Sequence, residues 1–89
     1  MELRAGDIVY SKAGRDKGKY FVVVFAESDE YVLICDGKRR KVDKPKRKKR
    51  KHLAETGKTA TLIREKLAAG EVVTNPLVRR TLCQMDENV

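Results

Sequence analysis

The chain reads as a mainly β domain, a small barrel of about five strands, followed by two short α-helices. Three observations predict this. The runs 20–25 (YFVVVF) and 31–35 (YVLIC) gather β-branched and aromatic residues in stretches of strand length. Turn-forming residues punctuate them at Gly14, Gly18 and Asp36-Gly37. The last third changes to helical spacing of its apolar residues. With 89 residues the chain makes one domain with a modest core. The expected division is a barrel over 1–56, including a basic arm at 38–52, and a two-helix extension over 57–89 packed on the barrel.

Taken in order, 7–12 (DIVYSK) alternates and is β-branched, so it is a strand. The stretch 13–18 (AGRDKG) lies between glycines and forms a turn or short loop. Next, 19–26 (KYFVVVFA) is the strongest strand signal of all. The polar ESDE at 27–30 makes a hairpin loop, and 31–35 returns as the third strand. Asp36-Gly37 is a hairpin-turn dipeptide, after which 40–43 pairs back as a fourth short strand. Pro45 stops regular pairing at an edge. The basic tract 46–51 follows, then a last short strand at 52–55.

The second and third strands are apolar on both faces. Phe21, Val23 and Phe25 share one face of the second strand, and Tyr20, Val22 and Val24 the other. In the third strand Tyr31, Leu33 and Cys35 oppose Val32 and Ile34. A half-exposed sheet would alternate apolar with polar residues. These strands therefore need two covers: barrel closure on one side and another layer on the other.

The C-terminal third can supply that layer. Thr59 or Thr61 caps a helix running to Ala69, with Gly70 at its end and Leu62, Ile63 and Leu67 as its stripe. Asn75-Pro76 gives a cap followed by proline at the first helical position. Leu77, Val78, Thr81, Leu82 and Met85 then fall on one face of the second helix, with Arg79 and Arg80 outward. A tight helix pair also resembles a helix-turn-helix, but these stripes favour packing on the sheet.

Charge is placed unevenly. Eleven of the 21 Lys and Arg residues lie in 38–52 (KRRKVDKPKRKKRKH), which holds one acid, Asp43, and so carries +10. The other 74 residues have ten bases against twelve acids. Such concentration points to a polyanionic partner, a solvated spacer being the bland alternative. No apolar run reaches membrane-span length, and the N-terminus lacks the apolar stretch of a secretory signal, so a cytoplasmic protein is expected. Cys35 and Cys83 stand 48 positions apart without CxxC partners, which excludes paired zinc ligands and reads both as structural. No serine-histidine-acid set, Walker loop or GxGxxG appears, so neither catalysis nor a metal or other cofactor is expected.

The segment 5–31 (AGDIVYSKAGRDKGKYFVVVFAESDEY) resembles a KOW motif: a strand, a glycine-centred loop and a second strand. Gly18 falls at the motif's central glycine, with Gly6 and Ile8-Val9 upstream and the run 21–24 downstream. Residues 33–53 (LICDGKRRKVDKPKRKKRKHL) are similar to a pattern in archaeal and eukaryotic large-subunit ribosomal proteins. In that pattern valine, aspartate and glycine precede basic residues ending in lysine-histidine-leucine. Short KOW-containing bacterial proteins are relatives of that group. The resemblance covers 5–55, and nothing is carried over to the C-terminal third. It implies an SH3-like barrel and a structured RNA partner, chiefly ribosomal, with association to the large subunit.

The residues expected to meet RNA follow from the loop and the run. Lys12, Arg15, Lys17 and Lys19 flank the loop at Gly18, where a missing side chain or positive φ lets a phosphate approach the backbone. The arm supplies Lys38, Arg39, Arg40, Lys41, Lys46, Arg47, Lys48, Lys49, Arg50 and Lys51. If 46–51 is extended, alternate side chains lie roughly 6–7 Å apart on one side. Arginines fork onto phosphates, whereas lysines act as point charges. His52 is a candidate to stack on a base or touch a phosphate, although a plain polar loop role is the preferred reading of it. Few free aromatics beside so much charge favour folded RNA over a single strand. The competing reading is a protein-interaction module of the transcription or translation machinery, using the apolar surface of the C-terminal helices. A nuclear import signal and a lipid-binding patch rest on the basic run alone.

Overall fold

The computed structural model describes residues 2–87. Five strands form a single antiparallel sheet: β1 (Asp7–Ser11), β2 (Tyr20–Ala26), β3 (Tyr31–Cys35), β4 (Lys46–Lys49) and β5 (Leu53–Thr59). The order across the sheet is β4-β3-β2-β1-β5. A 3-10 turn, Arg50–His52, joins β4 to β5, and two helices follow, α1 (Thr61–Ala68) and α2 (Asn75–Glu87). Among the described residues, no helix is long and apolar enough to cross a membrane.

Connectivity forces the sheet to curl. Laid flat, four inter-strand steps would put β4 and β5 roughly 19 Å apart. Only three residues join them, and a 3-10 turn advances about 2 Å per residue. The sheet therefore rolls on itself, yet β4 and β5 share no ladder and the cylinder stays open. The inner surface gathers Val9, Phe21, Val23, Val32, Ile34 and Leu53, with Leu3 from the N-terminal segment. On the outer surface Ile8, Val22 and Cys35 meet Ala60, Ile63, Val73, Val78 and Leu82. The sheet is thus covered twice, as its two-faced apolar strands require.

Three expectations are corrected. Residues 40–43 form no strand, because their surroundings consume the backbone groups a ladder would use. The Asp36 carboxylate accepts from the amides of Lys38 and Arg40, both at 2.9 Å. The Arg40 carbonyl accepts from Asp36 and Gly37, and the Val42 amide donates to Asn75 Oδ1 at 2.8 Å. The fourth strand is instead built from the cations just after Pro45, and the fifth runs to Thr59, past the expected end. Phe25 is not core. The register shifts from Val23↔Ile34 to Phe25↔Leu33, so a bulge turns Phe25 off the inner row and leaves it 55% exposed.

The helices form near their expected positions with different caps. Neither Thr59 nor Thr61 caps α1; Ala60 stands at its N-cap, its amide bonded to the Gly6 carbonyl at 2.7 Å. Ile63 is buried and Leu67 packs beside it, but Leu62 is 53% exposed and leaves the stripe. At α2 the Thr74 hydroxyl accepts from the Leu77 amide, one position before the expected cap, because Asn75 is committed to Val42. Pro76 consequently occupies the second helical position. Val78 and Leu82 are buried on the sheet, with Leu77 and Met85 against the same cluster.

The turn between β3 and β4 docks tightly on α2. Gly37 has φ +77°, and a Cβ there would lie 2.5 Å from the Asn75 carbonyl oxygen. Both the left-handed backbone and the contact exclude a side chain. Gly37→Ala is expected to cost at least about 1–2 kcal/mol in urea denaturation. A loss within about 0.5 kcal/mol, the range of a neutral surface change, would contradict this docking.

Candidate nucleic-acid interface

The loop between β1 and β2 is closed by backbone bonds from Ser11 to Lys19 and from Gly18 to Ser11, each 2.9 Å. Gly18 itself is exposed, at φ +87°. Within this loop lies Asp16, whose side chain is only 3% exposed. Lys46 Nζ donates to Asp16 Oδ2 at 2.8 Å, and Arg40 reaches the same oxygen at 3.6 Å. Lys48, itself buried, donates from Nζ to the Ala13 carbonyl at 2.9 Å. The glycine loop and the basic segment are therefore fastened together.

The electrostatics of this junction follow from its composition. Burial pushes the Asp16 carboxyl up, but the Lys46 hydrogen bond and the charges of Lys46, Arg40 and Lys48 outweigh it. The net value lies below the ordinary 3.8. Lys48 is pushed below its ordinary value by burial first and by neighbouring Lys46 next.

Further cations are engaged along β4 and after it. Arg47 lies 3.7 Å over the Tyr31 ring and donates from Nε to Glu27 at 2.6 Å. Lys49 sits 3.9 Å from Glu30. Arg50 donates to the carbonyls of Ser28 at 2.8 Å and Leu3 at 3.1 Å. Six expected RNA-facing residues, Arg40, Lys46, Arg47, Lys48, Lys49 and Arg50, are thus tied into the fold. The arm is a strand and turn of the domain itself.

The remaining cations are free. Lys12, Arg15, Lys17, Lys19, Lys38, Arg39, Lys41 and Lys51 are exposed and make no side-chain hydrogen bond or ion pair with the described residues. Gly18 and Lys19 from the first loop converge with Lys38 and Arg39 from the second around an open cleft of about 370 Å³. His52 is half-buried. Its imidazole lies below the ordinary 6.5, through desolvation first and then the positive charges of Lys51, Lys48, Lys49 and Lys12.

Two contributors escaped the sequence reading. Arg79, expected to face outward, lines the same cleft and donates to the Gly37 carbonyl at 2.7 Å. Its signal was Leu82, three residues on, which places Arg79 at the edge of the apolar stripe. Asp16 was the other, the lone acid inside GRDKG. The cysteines also diverge: Cys35 is buried, its thiol pushed up to about 12 by burial and then Asp36, whereas Cys83 is exposed. Among the described residues no group of three His, Cys, Asp or Glu could hold a metal ion. No family model matches the chain, and no curated protein matches it.

Asp16→Asn removes a charge that its partners need. The variant is expected to lose about 2 kcal/mol at pH 7, the scale of a hydrogen bond to a charged group. Because the folded carboxyl titrates low, this stabilisation is complete above the unfolded value. It fades as pH falls through 3.8 towards the folded value. The gap between variant and parent must shrink over that window in pH-dependent unfolding; a gap constant with pH refutes the junction. In an NMR titration His52 is expected to protonate below 6.5 and to move upward in Lys51→Ala. A midpoint at or above 6.5 contradicts the cationic crowding.

Proposed function

We propose that this protein binds structured RNA without catalysis, through an SH3-like barrel of KOW type, in association with ribosomal RNA of the large subunit. One observation carries the reading. Two cationic segments far apart in sequence, the Gly18 loop and the Lys38–Arg39 turn, are fastened side by side, and their outward cations have no side-chain partner among the described residues. Unspent cations on a rigid surface are what a phosphate backbone rewards, since each phosphate neutralised releases condensed counterions.

The SH3-like and KOW assignments are supported by five antiparallel strands rolled into an open cylinder and by a glycine at positive φ in the first hairpin loop. The ribosomal part rests on the similarity of residues 33–53 to large-subunit proteins. Phosphate contacts position a ligand without reading sequence, so shape selects the partner. Structured RNA fits a fixed array of charges, because a duplex presents its phosphates at fixed spacing. A second reading, a protein-interaction module, is favoured by two exposed apolar side chains in the C-terminal third, Leu62 and Val72, the latter 80% exposed.

Replacing Lys17, Lys19, Lys38 and Arg39 together by Ala tests the reading. With a fragment of large-subunit ribosomal RNA, the slope of log affinity against log salt should fall by about three to four, near 0.9 per phosphate contact. The thermal midpoint should stay unchanged. Lys48→Ala, by contrast, should lower stability. An unchanged slope in the quadruple variant sinks the RNA interface, and retained binding of a protein partner would favour the second reading.

A further inference from the structure

The cationic cleft has a feature that tracking a phosphate backbone does not require. Its lining also includes Tyr20 and Leu82, Leu82 presenting only the small exposed edge of a core side chain. Tyr20 is partly buried, packed against the outer hydrophobic cluster, and meets Tyr10 edge-on, with centroids 5.2 Å apart and planes at 63°, so it is a braced ring. The volume, about 370 Å³, falls within the roughly 300–1,000 Å³ typical of small-ligand sites. The one acid in the lining, Asp36, already accepts from two backbone amides through Oδ1.

Cations together with an aromatic and an aliphatic residue in one lining match the two halves of a nucleotide. Arg79, braced on the Gly37 carbonyl, adds a planar donor array to the wall. In duplex RNA the major groove is too deep and narrow for side chains to read, and bases are recognised when splayed out. A base already unpaired costs least to extrude.

We propose that the cleft receives a single nucleotide bulged from an RNA helix, its phosphate held by Lys19, Lys38 and Arg39 and its base lodged beside Tyr20 and Leu82. The inference rests on the RNA reading and sharpens it: free cations elsewhere hold the flanking helix, while the cleft selects helices carrying an unpaired base.

Two RNA hairpins test it, identical except that the stem of one carries a single unpaired 2-aminopurine. The bulged hairpin should bind at least about tenfold tighter, consistent with one stacked base, and its 2-aminopurine fluorescence should be quenched on binding. Cys83 provides an independent handle. It is exposed and lines the cleft, whereas Cys35 is buried, so a bulky maleimide should label Cys83 and fill the space. The affinity ratio of the two hairpins should then fall to about one. Equal binding of both hairpins by untreated protein, or a ratio unaltered after complete labelling, overturns the cleft's role while RNA binding stands. Failure to bind either hairpin at low salt overturns the RNA reading as well.

Discussion

A carboxylate enclosed by the most basic part of the chain governs the shape of the cationic surface. Asp16 is almost wholly removed from solvent, and Lys46 and Arg40 close on one of its oxygens. Lys48 adds a second tie, to the Ala13 carbonyl beside it. Without these bonds, a glycine-bracketed loop and a ten-residue connection would each sample many conformations, at a cost in order of about 1–2 kcal/mol per residue to fix. With them, residues distant in sequence share one frame. The cost of taking charges from water is offset in part, since Asp16, Lys46 and Lys48 each find an opposite charge or a carbonyl, whereas the Arg40 Nε is buried without a hydrogen-bond partner among the described residues.

That frame depends on the sheet beneath it. Because β2 and β3 are apolar on both faces, they lie inside the sheet, where one face lines the inner core of the open cylinder and the other takes α1 and α2. The edge on the basic side is β4, whose lysine heads reach Asp16, the Ala13 carbonyl and Glu30. A lysine-rich edge also resists pairing with another chain. The same residues thus complete the fold, protect its border and fasten the loop.

The parts legible in sequence were those with a repeating signal. Alternation and β-branching located β1, β2 and β3 to within a residue, and the stripe of Val78 and Leu82 located the packed face of α2. What escaped depended on contacts with no local signature. Residues 40–43 have a strand's length, but an Asp36 carboxylate and an Asn75 amide oxygen took their backbone amides. Phe25 continued an apolar run, but a one-residue bulge exposed it. In the candidate site, the free cations around Gly18 and at Lys38-Arg39 were readable. Nothing in the run of six bases at 46–51 distinguished Lys48, turned inward, from Lys51, turned out.

That distinction decides how a polybasic segment works. A disordered run of eleven cations attracts any polyanion, and its affinity follows charge density alone. Here six of the cations counted as ligands are instead anchored to Asp16, Glu27, Glu30 or main-chain carbonyls. Their charge still contributes to the long-range potential around the protein, while the buried ties of Lys46 and Lys48 restrict position more than the exposed pair of Lys49 with Glu30. The backbone segments that carry the outward cations are therefore held side by side. On the proposed RNA reading, anchoring part of the charge inside would lower the number of phosphates the surface can meet, and discrimination by shape would follow from the balance between charge committed to the fold and charge left free.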